Sequence, residues 1–254
     1  MGEIKDLSIK DLTSTRENNF LFPKSIRGII IGKSGCGKTT LLLNLLLQPK
    51  WLDYEKLFVF GKSLFQPEYK IIKHAFEKNI SKENLLTIIE NNQTNYNDVI
   101  DYLSKNQFNP NPIETTFYEL VKDVPDPREL NRDKNNLMVF DDLLLEKQNK
   151  CEDYYVRGRH SNVDCFYLAQ NYFKLPRQTI RENTNFICLF KQDLKNITHI
   201  YNDHVSNDMD FSEFKSLCSK CWEEKHGFLV IDLSSEKCNG KFRKGFNHFY
   251  IPNT

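Results

Sequence analysis

The chain has 254 residues, with 35 Lys and Arg against 34 Asp and Glu, and seven cysteines. That length suits one large α/β domain and leaves little room for two, and the near-neutral balance excludes a globally basic surface, so any nucleic-acid contact must be a local patch. The start Met1-Gly2-Glu3-Ile4-Lys5-Asp6 lacks the basic and apolar regions of a signal peptide, and no apolar run reaches membrane-spanning length; with scattered cysteines this predicts a soluble, intracellular chain of reduced thiols.

Residues 1–25 are polar and read as an N-terminal arm or irregular first element, with the folded domain expected over 26–254. The core opens near Arg27 with the apolar strand of residues 28–31. Gly32-Lys33-Ser34-Gly35-Cys36-Gly37-Lys38-Thr39 follows, and then the leucine-rich, helix-like stretch 40–47. This G-x-x-x-x-G-K-[ST] pattern between strand and helix is a P-loop. Its glycines let successive backbone N–H groups converge on phosphate oxygens, and the helix adds the positive end of its dipole. Gly32 to Thr39, with Thr40, are therefore expected to bind a nucleoside triphosphate, Lys38 at the β- and γ-phosphates and the Thr39 hydroxyl on Mg²⁺. Cys36 reads as loop filler, or as a thiol whose pKa the helix N-terminus lowers.

Residues 56–60 form a second short apolar run, and 69–89 and 97–105 have helical character. About 75 residues separate this run from the next, more than one crossover helix requires, so an insertion is expected around 70–135. Within it, residues 108–132 carry Pro110, Pro112, Pro125 and Pro127 and read as a loop. The third run, 136–140, delivers Asp141-Asp142 to its end, roughly a hundred residues after the P-loop. Carboxylates at that edge of an open α/β sheet lie beside the phosphates, which casts Asp141 as the Mg²⁺ ligand and Asp142 as the general base; an Asp-Asp helix cap is the plainer reading.

The fourth run, 164–169, leads into Gln170, a candidate sensor of the γ-phosphate or the lytic water, against the alternative of an ordinary loop amide. Arg157, Arg159, Arg177 and Arg181 crowd around it, and a guanidinium can neutralise charge on a transferring phosphoryl group, so Arg159 first and Arg181 second are candidate fingers. The fifth run is 186–190. Five such runs separated by helix-length segments predict a mostly parallel sheet flanked by helices. In the tail, 227–233 and 246–250 read as a β-hairpin-like extension joined by a basic turn at 237–245. Cys218-x-x-Cys221, with His226, Cys238 and His248, has one close ligand pair and one loose one, which favours unconnected thiols over structural zinc.

With those residues in hand, the chain resembles the FtsK/HerA superfamily of DNA-translocating ATPases, and within it the genome-packaging ATPases of poxviruses, giant DNA viruses, virophages and Polinton-type elements. The resemblance rests on 30–40, on 56–69 with its Ser63-Leu64-Phe65-Gln66-Pro67-Glu68-Tyr69, on 137–142, and on 157–183 with its Gly158-Arg159-His160 and Leu168-Ala169-Gln170-Asn171 segments. Many such relatives have Glu where this chain has Asp142. The resemblance implies ATP and Mg²⁺ as ligand and cofactor, and a homo-oligomeric ring threading double-stranded DNA into a capsid by way of a capsid or vertex protein. It further implies a location in the host cytoplasm, in a viral factory or with the virion. The basic turn, Lys241, Arg243 and Lys244, is then a candidate DNA-phosphate contact, against a merely solvated turn. A GTPase is disfavoured because no [NT]-K-x-D motif follows the fourth run; a small-molecule kinase or a non-hydrolysing scaffold protein remain as alternatives.

Overall fold

The computed structural model describes residues 16–78, 80–91, 96–105 and 113–253. In chain order these form β1 (Arg27–Ile31), α1 (Lys38–Leu47), β2 (Lys56–Gly61), α2 (Pro67–Glu77), α3 (Lys82–Asn91), α4 (Tyr96–Lys105) and β3 (Glu114–Tyr118). There follow β4 (Asn136–Asp141), α5 (Asn149–Arg157), β5 (Val163–Ala169), β6 (Phe186–Phe190), α6 (Leu194–Ile200), α7 (Phe211–Cys221), β7 (Phe228–Asp232), β8 (Phe242–Lys244) and β9 (His248–Tyr250). The strands make one sheet in the order β3-β2-β4-β5-β1-β6-β7-β8-β9. Pairing is parallel from β3 to β6 and antiparallel from β6 to β9.

The central strands are apolar throughout because both of their faces are covered. Ile30, Val59 and Val139 pack into a core with Leu42, Leu45 and Leu46 of α1 and with buried residues of α2, α3 and α4. On the opposite face Ile29, Ile31 and Phe140 pack against Tyr154 and Tyr155 of α5, Ile197 of α6 and Phe214 of α7. Successive residues of β1 thus serve opposite cores, as a strand's two-residue period requires.

Three expectations change. The stretch 108–132 is not wholly loop, since Glu114–Tyr118 lies parallel to β2 in register Lys56↔Glu114 and closes that edge of the sheet; residues 106–112 lie outside those described. The tail is a three-stranded meander, because residues 242–244 are β8 and not part of a turn. In it Arg243 is 2% exposed, pairs with Asp232 at 3.3 Å and donates to the Leu21 carbonyl, while Lys241 pairs with Asp208 at 2.6 Å and Lys244 with Glu224 at 2.9 Å. A buried, carboxylate-bound guanidinium cannot meet DNA phosphate, so Arg243 is withdrawn as a DNA contact.

Residues 16–25, grouped with the arm, are packed into the domain. Arg16 forms a buried ion pair with Asp164 and donates to the carbonyls of Asn136 and Asn162, and Phe22 packs on Trp51, Phe186 and Phe246. Residues 1–15 lie outside those described. Cys218 and Cys221 face the core from α7, and burial lifts both thiols, Cys221 to about 11. Among the described residues no cluster of three His, Cys, Asp or Glu is placed to hold a metal ion.

Candidate nucleotide-binding and hydrolysis site

β1 ends at Ile31, and the chain turns tightly into α1. A Cβ on Gly32 would stand 2.2 Å from Cys36 Sγ and 2.8 Å from Phe190 Cβ, so only glycine lets the loop close there. Gly37 has φ 109°, a left-handed conformation that points the backbone into the turn before α1. The Lys38 ammonium donates to the carbonyls of Gly32 at 2.7 Å and Lys33 at 3.0 Å, which holds it across the mouth of the loop. The Cys36 thiol departs from the lowered-pKa reading. Half-burial is the dominant effect and raises its pKa, outweighing Lys38 and the backbone N–H groups that act the other way.

A cleft of about 480 Å³ opens over this loop, floored by Ser34 to Thr40 and walled by Asp141, Asp142 and Gln170. The strand order explains the convergence. β5 lies between β1 and β4, with Ile31↔Ala169 and Asp141↔Leu168 in register, so Gln170 emerges between the P-loop and the carboxylate pair at one sheet edge.

Asp141 is 6% exposed and accepts a 2.6 Å hydrogen bond from the hydroxyl of Tyr69 on α2. Burial raises its pKa, the neighbouring Asp142 adds to that, and the Tyr69 bond and Lys38 oppose it. The Tyr69 phenol is itself pushed up, chiefly by burial, so it stays a donor and fixes one carboxylate oxygen. Asp142 is exposed, with φ 55°, and Gln170 Nε2 reaches its Oδ1 at 3.5 Å. A non-glycine residue in the left-handed region is uncommon, and here it swings the second carboxylate out of the strand line.

The donor set fits Mg²⁺. The Thr39 hydroxyl and the Asp141 carboxylate are hard oxygens lining one cleft, and this ion is commonly held by one or two protein oxygens plus substrate phosphates and water. Its role when bound is to neutralise charge on the phosphate oxygens.

Ser63, Gln66 and Glu68, on the β2–α2 connection and first turn of α2, also line the cleft, as does His226 from the tail. The sequence assigned no role to any of these, and His226 had been weighed only as a zinc ligand. Tyr69 and His226 meet the site from 72 and 190 residues away, so local pattern carried no signal of their contacts.

The arginines separate cleanly. Arg181 is 4% exposed, pairs with Asp203 at 2.6 Å and lies over the Tyr172 ring, and Tyr172 donates to the same Asp203 carboxylate. It is therefore a fold-stabilising cation and not a finger. Arg157 pairs with Asp153 at 2.6 Å, and Arg177 approaches Glu182 at 3.4 Å. Arg159 is exposed, has no carboxylate partner among the described residues, and sits in the turn Gly158–Ser161 before β5. An Arg181→Ala variant is expected to lose about 1–3 kcal/mol of stability because the partly buried Asp203 carboxylate keeps the Tyr172 hydroxyl but loses its cation. Denaturant unfolding checks the loss; turnover per folded molecule that fell 10³-fold with stability intact would restore Arg181 as a finger.

A family model described as Poxvirus A32 protein matches residues 14–243. The chain belongs to that family. Members of the Poxvirus A32 family are poxvirus genome-packaging ATPases, and this chain is accordingly an ATPase. No curated protein matches in sequence. Among solved structures, the genome packaging NTPase B204 of Sulfolobus turreted icosahedral virus 2, in complex with AMP, aligns at 10% identity and TM-score 0.47, covering 83% of this chain and 93% of its own. VirB4 of Thermoanaerobacter pseudethanolicus aligns at 12% identity and TM-score 0.44, covering 84% of this chain and 87% of its own.

Proposed function

We propose that this chain is the ATP-hydrolysing subunit of a homo-oligomeric ring that drives double-stranded DNA into a viral capsid, docked on a capsid or vertex protein. The observation that carries this reading is the gathering of Lys38, Asp141, Asp142 and Gln170 at one edge of the sheet in a Poxvirus A32 family chain. In it the loop from Gly32 to Thr40 holds the phosphates, Lys38 faces the β- and γ-oxygens, and Thr39 and Asp141 hold Mg²⁺. Asp142 orients the attacking water and takes its proton, and Gln170, between loop and base, aligns that water with the γ-phosphoryl group. Localisation follows the proposed substrate: the host cytoplasm, a viral factory or the virion.

Two measurements test the motor. ATP hydrolysis should rise on addition of duplex DNA, and the particle formed with a non-hydrolysable ATP analogue should weigh several times the 30.0 kDa subunit. Hydrolysis indifferent to DNA together with a monomeric mass would overturn the reading. Phosphate transferred to a small acceptor and not to water would identify a kinase instead.

A further inference from the structure

A second concavity, about 320 Å³ and mostly apolar, adjoins the phosphate cleft on the outer side of α1. Gly37, Thr40 and His226 line both, so the two are continuous. Its remaining walls include Asn44 on α1 together with Trp51, Phe228 and Phe246. The aromatic rings brace one another edge to face: Trp51 and Phe246 have centroids 5.0 Å apart, and Phe228 and Phe246 5.2 Å apart. Phe246 is buried, whereas Trp51 and Phe228 remain partly open. Phosphate transfer by Lys38, Asp142 and Gln170 makes no use of this box.

His226 closes the junction between the two spaces. Its Nδ1 meets the Cys36 carbonyl at 2.8 Å, and because a carbonyl only accepts, Nδ1 carries the hydrogen. The residue takes φ 66°, and a Cβ on Gly37 would lie 3.2 Å from Nδ1, so the tail is set directly against the P-loop. Asn44 spends one of its two amide N–H groups on the Thr40 carbonyl at 2.9 Å, which leaves Oδ1 as an acceptor and the second N–H as a donor. An aromatic-walled pocket with a polar amide on its wall suits a flat heteroaromatic ring with polar edges.

We propose that this pocket takes the base of the bound nucleotide, with Trp51 and Phe228 as its aromatic walls and the Asn44 amide as a polar contact for the edge of the base. The assignment rests on the adjoining cleft being the triphosphate site. A triphosphate seated on the loop places its α-phosphate beside the first turn of α1, and the aromatic box adjoins the cleft there, sharing Gly37 and Thr40 with it. The C-terminal strands thereby become part of nucleotide recognition, since Phe228 opens β7 and Phe246 lies between β8 and β9.

Calorimetric titration of the full chain with ATP, GTP and inorganic triphosphate tests this. Wild type should bind ATP and GTP more tightly than inorganic triphosphate. Phe228→Ala should raise the ATP Kd about tenfold, the scale of one base–aromatic stack, and leave the triphosphate Kd within about twofold. Phe228→Leu, which keeps most of the packing on Phe246, should show the same split if the alanine variant proves unstable. A wild type that binds neither ATP nor triphosphate defeats the triphosphate reading of the cleft. A wild type that binds both, with Phe228→Leu weakening them equally or not at all, overturns the base pocket alone.

Discussion

An Asp142→Asn variant should bind ATP with a Kd within about twofold of wild type and turn it over some 10²–10⁴-fold more slowly, the range a lost general base removes. Amide and carboxylate are nearly isosteric, so the residue can keep its left-handed backbone and its contact with Gln170. What it loses is the ability to accept a proton. Lys38→Ala should differ in kind, because it removes a cation held over the phosphate loop and so costs affinity as well as turnover. Equal loss of ATP affinity in the two variants would contradict this division of roles. A third carboxylate lining the cleft beside Asp141 and Asp142, that of Glu68, supplies a sharper control. If Glu68→Gln stops single-turnover hydrolysis and Asp142→Asn does not, the base is Glu68, and Asp142 only positions Gln170.

The parts of this site that were legible in the sequence are those written locally. Ile29 to Thr39 reads as strand, turn and helix within a dozen residues, and Asp141-Asp142 and Gln170 each end an unbroken apolar run, which fixes the sheet edge they occupy. What was not legible depends on partners distant in sequence. Arg243 and Arg181 look like solvated cations until Asp232 and Asp203 are seen beside them inside the fold. Tyr69 and His226 gain their roles only from contacts made when α2 and the tail meet the central sheet. β3 escaped because its residues, Glu114 to Tyr118, are only partly buried on an edge strand and stand among prolines, so neither an apolar run nor a clear alternation marks them. Strand order is equally silent in the sequence, yet it is the insertion of β5 between β1 and β4 that sets Gln170 between loop and base.

Arg159→Ala should lower ATP turnover on the order of 10³-fold or more with ATP affinity nearly unchanged, because a finger stabilises charge that develops only in the transition state. The structure narrows the candidates to this residue, since Arg157 and Arg181 are committed to carboxylates and Arg177 lies near one. It also dictates the direction in which Arg159 acts. The turn that carries it precedes β5, whereas the ATP cleft lies beyond the other end of that seven-residue strand, about 20 Å away at roughly 3.3 Å per residue. No side chain spans that distance, so Arg159 cannot serve the ATP of its own subunit, and a finger role for it is a role in trans, on a neighbour in the proposed ring. Mixing separates the two modes. Arg159→Ala protein combined with Asp142→Asn protein should regain partial activity, because some interfaces then pair an intact finger with an intact base. Should mixed rings demonstrably form and no activity return, the in-trans assignment fails, and the exposed guanidinium of Arg159 is better assigned to contact with the DNA backbone, which a flatter salt dependence of DNA binding in the single variant would reveal.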